Sequence, residues 1–179
     1  MSHAMRSTRS LGFVLITSIL FMLVLTLVVV YAVRSATVYE RISGNNRNYS
    51  QAFQAAEFAL FQARGTLANP ELIATPASNT CSNGICAKDF DTEKFDNPAF
   101  WIKSENLTKS CAVDKDCSGR GASIATKFPG ASAEQPRFVI KELKVGSDDC
   151  TYYEITAFGK GGNTSSSSIL RSVVKACDS

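Results

Sequence analysis

The chain has 179 residues, 45% of them apolar and 20% charged, with a formal net charge of +3. Such totals accommodate one domain with an appendage. Arg6, Arg9 and Arg34 account for the whole of the excess charge, so the chain beyond position 34 is formally neutral and offers no electrostatic footprint for general nucleic-acid or anionic-lipid binding.

In chain order, the first feature is an apolar run from Phe13 to Val33 without a single charge. At about 1.5 Å per residue this run matches a hydrocarbon core roughly 30 Å thick. A secretory signal peptide has a shorter apolar region, about 7–15 residues, followed by a small-residue cleavage site. Here Arg34 and Tyr39 follow instead, so the run is expected to stay as an anchor. Arg6 and Arg9 before it hold the N-terminus in the cytoplasm, and the remainder is expected in an oxidising compartment, the periplasm or cell surface.

No proline occurs from Phe13 to about Ala68, and helix signals persist past the span. Phe53, Ala56, Leu60, Ala63 and Leu67 follow a 3-4-3-4 spacing, one stripe of a helix that should pack on the outer domain. Ala52, Ala55, Ala56, Ala59 and Ala63 allow close approach. A continuous helix would be roughly 80 Å long, a protruding stalk longer than a domain of the remaining size can cover. Gly44-Asn45-Asn46 are poor helix formers, Gly alone costing about 1 kcal/mol against Ala. A kink or melted segment is expected there, or a plain break between anchor and domain.

Pro70 and Pro76 are expected to end the helix, with Asn69 as its last residue. Residues 71–136 have an irregular pattern rich in Asn, Ser, Asp and Lys. Six cysteines fall after position 80 and none in the helix, which in an extracytoplasmic domain reads as a disulfide set. Short separations favour Cys81–Cys86 and Cys111–Cys117, among the fifteen pairings that six cysteines permit. Residues 97–102 form an apolar patch around Trp101, read as a satellite core under a long loop rather than as a partner anchor.

Three strand-rich runs follow, at 137–145, 151–159 and 168–176, with turn signals at Gly146 to Asp148 and from Gly159 to Ser167. They predict an antiparallel meander over about 136–177, with the helix stripe on one face. Cys150 opens the second strand and Cys177 closes the third. These ends are neighbours in an antiparallel order, so Cys150–Cys177 is expected. Such links stabilise a small core by roughly 2–4 kcal/mol each.

Signals for chemistry are absent. The single histidine is His3, so no Ser-His or Cys-His pair arises in the outer domain. There is no Gly-x-Gly-x-x-Gly or P-loop, and no Cys-x-x-Cys for zinc. Asp114-Lys115-Asp116-Cys117-Ser118-Gly119 mimics the start of an EF-hand loop. Its twelfth position is Ala125, where a bidentate Glu is required, so a solvated turn is preferred to a calcium site. No enzyme activity, metal or cofactor is expected.

Two stretches carry a family likeness. Arg9-Ser10-Leu11-Gly12-Phe13-Val14-Leu15-Ile16 resembles the type III leader of type IV prepilins, which implies cleavage between Gly12 and Phe13 and N-methylation of Phe13. Tyr39-Glu40-Arg41-Ile42-Ser43-Gly44-Asn45-Asn46-Arg47, then Gln51-Ala52-Phe53-Gln54-Ala55-Ala56-Glu57-Phe58-Ala59-Leu60, resembles the N-terminal region of PilX-type minor pilins. The likeness covers roughly residues 10 to 65, and the C-terminal half matches only in general style. It implies an α+β, type IV pilin-like fold, a long membrane-spanning helix packed on a small antiparallel C-terminal sheet with disulfide loops. The implied divisions are a leader over 1–12, a transmembrane and assembly helix over 13–34, its continuation over 35–68 and a disulfide-bonded periplasmic domain over 69–179. Pilins also carry a comparable C-terminal disulfide region.

The likeness has one departure. Most pilins have Glu at the fifth residue of the mature chain, where it pairs with the terminal amine of a neighbouring subunit. That position here is Thr17. A carboxylate in a bilayer is costly unless a partner offsets it, whereas a threonine hydroxyl bonds to its own helix backbone. The departure favours a tip or priming role over a bulk fibre role. Within the family's helix motif of Ala55, Ala56 and Glu57, the resemblance implies an inter-subunit or buried pairing contact for Glu57. The other reading is an exposed Glu near Arg47 and Arg64, worth little energetically.

The resemblance implies a minor pilin that helps prime assembly at, or sits near, the tip of the type IV pilus, supporting twitching motility, adhesion and sometimes DNA uptake. Its partners would be other minor pilins, the major pilin, a tip adhesin and the prepilin peptidase. The inner membrane would hold the subunit before assembly into the surface fibre. Two alternatives remain: a minor pseudopilin of type II secretion, where a K-type subunit also lacks the Glu, and a signal-anchored periplasmic binding domain or sensor, which keeps residues 1–12. A periplasmic hydrolase lacks candidate residues.

Overall fold

The fold is that of a computed structural model, which describes residues 11–68, 76–117, 125–130, 134–145, 150–163 and 165–177. The chain forms two compact units, Met1–Gly44 and Asn45–Ser179, each described by itself. Helix α1, Leu11–Thr66, contributes to both. Its backbone stays helical through Gly44, Asn45 and Asn46, so the melted or broken segment expected there is absent. The local cost of about 1 kcal/mol for one glycine is small against the hydrogen bonds of the turns on either side. The helix closes at Thr66, with Leu67 and Ala68 in a turn. Asn69 and Pro70 lie outside the described residues.

In the second unit the three long strands are β4 (Arg137–Val145), β5 (Cys150–Lys160) and β6 (Ser167–Cys177). They form the expected antiparallel meander. The turn expected at Gly146 to Asp148 lies outside the described residues. Three two-residue strands complete the sheet: β1 (Cys81–Ser82), β2 (Ile85–Cys86) and β3 (Cys111–Ala112). Strands β2 and β3 share the free edge of β4, but β3 runs antiparallel and β2 parallel to it. The sheet is therefore mixed, a correction to the wholly antiparallel expectation. Strand β2 belongs to a hairpin whose reversal is set at Asn83 and Gly84, both at positive φ. That Asn-Gly turn suits the twist of a two-residue hairpin, and the hairpin delivers β2 to the edge in the parallel sense. At Gly84 a Cβ would stand 2.6 Å from Cys111 Cβ, so the hairpin and β3 meet where only glycine fits.

Strands β4 and β5 are buried on both faces, while much of β6 is exposed. Phe138 and Ile140 of β4, with Tyr153, Ile155 and Ala157 of β5, join Ala59, Ala63 and Leu67 of α1 in one core. Val139 and Phe158 face the other way, into a second core with Phe90, Phe95, Phe100 and Trp101. Trp101, 1% exposed, stacks on Phe158 with ring centroids 5.5 Å apart and planes within 4°. Its indole N–H donates to the Phe95 carbonyl at 2.9 Å, satisfying the one polar atom of a buried tryptophan. The patch is a satellite core, and it covers the face of the sheet that the helix does not. The short helix α2, Pro98–Ile102, which carries Phe100 and Trp101, starts with Asn97 Oδ1 accepting from the Ala99 N–H at 2.9 Å. Asn at the N-cap followed by Pro at the first helical position is a strong start signal.

Side-chain clamps hold the loops to this frame. Arg137 donates through Nε to Ser110 Oγ at 2.7 Å, through Nη2 to the Ser110 carbonyl at 2.8 Å, and to the Leu107 carbonyl. Burial lowers its pKa from the ordinary arginine value. Disulfides join Cys81 to Cys86, Cys111 to Cys117 and Cys150 to Cys177. The last lies across an opposed pair in the β5–β6 ladder.

Asp89 clamps the turn before β1. It accepts from the Ser78 hydroxyl, and from the Asn79 N–H at 2.8 Å. The Ser78 hydrogen bond, then the Asn79 N–H, lower its pKa from the ordinary carboxylate value. A folded pKa below the unfolded one gives stability that is present above the unfolded value and lost as pH falls through the folded value. Asp89→Asn is therefore expected to lower Tm near neutral pH, with the gap to the parent closing as pH falls through and below the ordinary carboxylate range. Thermal melts of both chains across pH 2–7 check this, and a gap independent of pH would refute it.

Candidate functional site

The described residues of the first unit form a single stretch of helix. From Phe13, 72% exposed, to Val33 every large apolar side chain of α1 is exposed, and the most apolar stretch of the helix has a mean hydropathy of 3.0. Apolar residues lie on all its sides, so the helix requires an apolar medium, either lipid or other helices. In such a medium every polar group needs a partner within the segment.

The hydroxyls meet this requirement. Thr17 Oγ1 bonds to the Phe13 carbonyl at 3.1 Å and the Val14 carbonyl at 3.0 Å. Ser18 bonds to the Leu15 carbonyl at 2.9 Å, Thr26 to Leu23 at 2.8 Å and Thr37 to Arg34 at 2.8 Å. Thr17 thus needs no neighbour, unlike a carboxylate at the same place. Gly12 precedes this segment and has open space around its Cα, so its backbone can be approached closely.

In the second unit α1 meets the sheet through Ala52, Ala55, Ala56, Ala59 and Ala63. The closeness of this seam comes from Gly159 at the end of β5. A Cβ there would stand 2.2 Å from the Ala52 carbonyl oxygen and 2.3 Å from the Ala56 nitrogen. One at Gly161 would stand 2.3 Å from the Asn48 carbonyl oxygen. Helix backbone rests on strand backbone, so only small side chains fit between. This corrects the expected stripe. Ala56, Ala63 and Leu67 are buried as expected, but Phe53 is 39% exposed and Leu60 only partly buried. The helix is turned so that its alanines line the seam at Gly159, with Leu67 in the core and Phe58 and Leu60 partly buried at its margin. Sequence reasoning missed Gly159 and Gly161 as packing residues. Their signal was available, since glycine inside a strand run marks close approach of another backbone.

Of the helix motif, Ala55 and Ala56 lie in that seam, while Glu57 is exposed. Glu57 sits in a shallow groove with Phe53, Leu60, Phe61 and Arg64 of α1 and Leu170, Arg171 and Ser172 of β6. For the calcium candidate, Cys117 is held in its disulfide and Ser118 and Gly119 lie outside the described residues. Among the described residues no group of three or more His, Cys, Asp or Glu side chains is placed to hold a metal.

Residues 12–61 match the family model for the PilX N-terminal region. This stretch of the helix is similar to the PilX N-terminal region. The match begins at Gly12 and ends within α1, taking in the exposed apolar segment, Thr17 and the Ala55-Ala56-Glu57 motif. It supports a PilX-type, type IV pilus-related pilin, and the exposed apolar helix is consistent with membrane anchoring and pilus assembly. The sheet and disulfide loops lie beyond the PilX N-terminal match. Comparison with curated proteins and with solved structures found no match.

Proposed function

We propose that this chain is a PilX-type minor pilin that helps prime assembly at, or sits near, the tip of the type IV pilus, supporting twitching motility and adhesion. It is made with a leader over residues 1–12. The prepilin peptidase cuts between Gly12 and Phe13 and methylates the Phe13 amine. The apolar helix then holds the subunit in the inner membrane with its disulfide-bonded domain in the periplasm. On assembly it exchanges lipid for the helices of other minor pilins and the major pilin, close to a tip adhesin. No step involves turnover.

The observation that carries the priming role is Thr17, whose hydroxyl is satisfied by the Phe13 and Val14 carbonyls. A first subunit has no earlier neighbour whose amine could pair with a carboxylate, and this side chain asks for none. Mass analysis of the N-terminus of subunits from sheared pili tests processing and incorporation together. The expected result is a chain beginning at methylated Phe13. A fibre subunit still beginning at Met1 or Ser2 would refute the reading. Thr17→Glu should then place an unpaired carboxylate in lipid, at a cost of about 3 kcal/mol at mid-membrane and less near its edge. Fewer pili per cell are expected by electron microscopy, and unchanged piliation would count against the priming role.

A further inference from the structure

Strand β6 ends the sheet. The strand order is β1-β2-β4-β5-β6, with β3 on β4, so among the described residues β5 alone pairs with β6. All eleven residues from Ser167 to Cys177 are in register with β5, about 36 Å of strand at the usual rise. The far side of β6 presents a row of backbone N–H and C=O groups along that length. The opposite side of the sheet ends in the two-residue strands β1 and β3, the short edges with which sheets ordinarily avoid offering a template. The long edge is also one wall of the groove. Leu170, Arg171 and Ser172 line it from β6, and Phe53, Leu60 and Phe61 line it from α1, with Phe61 71% exposed. Side chains of a strand alternate between faces. Val174 and Ala176 pack on the helix side and Ile169 on the other, so Arg171, Val173 and Lys175 lie on the side away from the helix.

We propose that the β6 edge receives an extended segment of a different protein, which pairs backbone to backbone as an added strand and alternates apolar with acidic side chains. The apolar set would face the helix side and cover Phe53, Phe61 and Leu170. The acidic set is selected by β6, whose charged residues are Arg171 and Lys175. Opposite charges directly across two strands are favourable, and like charges are not. Arg171 is held in place by Asp96 at 2.8 Å and Glu154 at 3.4 Å. A lysine on an edge deters any strand that leaves its charge unmatched, so the same residue that rejects a basic strand admits an acidic one. A second copy does not supply that strand through its own long edge. In an antiparallel pair of β6 edges centred on Val173, Arg171 of each copy would oppose Lys175 of the other. All these residues belong to the second unit, so the contact does not depend on leader cleavage or on a place in a fibre.

Fluorescence anisotropy of a labelled nine-residue peptide alternating valine and glutamate, titrated with the detergent-solubilised full chain, tests this. The same peptide with lysine for glutamate is the control. The acidic peptide is expected to bind about tenfold more tightly than the basic one. Lys175→Glu should remove most of that preference, while Phe61→Ser, at an exposed position, should weaken the acidic peptide without moving the unfolding midpoint. Hydrogen exchange followed by mass spectrometry tells strand addition from mere charge attraction. Amides of Ser167–Cys177 should slow when the acidic peptide binds, and the peptide methylated on every backbone nitrogen should not bind. Four results would each overturn the proposal: no binding of the acidic peptide, a preference that survives Lys175→Glu, binding that leaves exchange in β6 unchanged, or equal binding of the methylated peptide. Slowing in β6 that rises with chain concentration, without peptide, would give the edge to a second copy and overturn it as well.

Discussion

Gly159→Val is expected to destabilise the second unit by about 3 kcal/mol or more, the upper part of the range for overpacked cores. The added Cβ would meet the Ala52 carbonyl oxygen at 2.2 Å and the Ala56 nitrogen at 2.3 Å. These are backbone atoms of a helix, which cannot rotate aside as a side chain can, so the whole helix must lift from the sheet. Lifting it also opens the core that Ala59, Ala63 and Leu67 share with Ile155 and Ala157. Urea unfolding of the detergent-solubilised chain, followed by Trp101 fluorescence, measures the loss. A control at the exposed Gly162, Gly162→Ala, should change stability by less than about 0.5 kcal/mol, because its Cβ would meet only the rotatable ends of Asn48 and Gln51, each 2.9 Å away. A Gly159→Val midpoint equal to that of the parent would show that the helix does not sit on β5 as described.

The second large effect concerns the Cys150–Cys177 bond. It closes a loop of 27 residues, for which the chain-entropy relation gives about 3.5 kcal/mol of stabilisation. The bond lies across a register pair of β5 and β6. Replacing both cysteines with alanine therefore frees the open ends of β5 and the edge strand β6 while leaving the other end, near Lys160 and Ser167, paired. The double variant is expected to lose about 3.5 kcal/mol, whereas the same change at Cys81 and Cys86, separated by five residues, should cost about 2 kcal/mol. Unfolding midpoints under non-reducing conditions compare the two. Equal losses would mean that loop length is not what sets the contribution of these links, and that native packing at each site decides it instead.

Glu57 and the Gly159 seam lie on different faces of one helix. The alanine face is committed to the sheet, while Phe53, Glu57, Phe61 and Arg64 are exposed. Changing Glu57 should therefore leave the unfolding midpoint unmoved, whereas changing Gly159 should lower it.

Much of the architecture was legible from residue patterns. The charge-free run from Phe13 to Val33 and the absence of proline up to Ala68 mark a single long helix. Alternation and turn residues mark three strands, which the structure places at Arg137–Val145, Cys150–Lys160 and Ser167–Cys177. Helix and strand periodicities are local properties, written in neighbouring residues. The Ala55-Ala56-Glu57 motif was legible through the resemblance of its neighbouring residues to PilX-type minor pilins, and the capacity of Thr17 to satisfy itself was legible because it acts within one turn. The short strands β1, β2 and β3 were not legible. Two residues carry no periodicity: β2 and β3 form on the edge that β4 offers, and β1 forms on β2.

The sequence by itself determined that an apolar helix precedes a cysteine-bearing meander and that the helix carries the PilX-like motif. Only the tertiary structure decided which side of that helix is buried. Periodicity favoured the stripe through Phe53 and Leu60 because those side chains are large and apolar. The alanine face won because Gly159 and Gly161, about a hundred residues further on, bring strand backbone so near the helix that a larger side chain has no room. The tertiary structure likewise decided that the sheet is mixed and that β4 and β5 are covered on both faces, with Trp101 and its neighbours over the side the helix leaves bare. Burial depends on what comes to lie opposite a residue, and no local pattern in the chain carries that information.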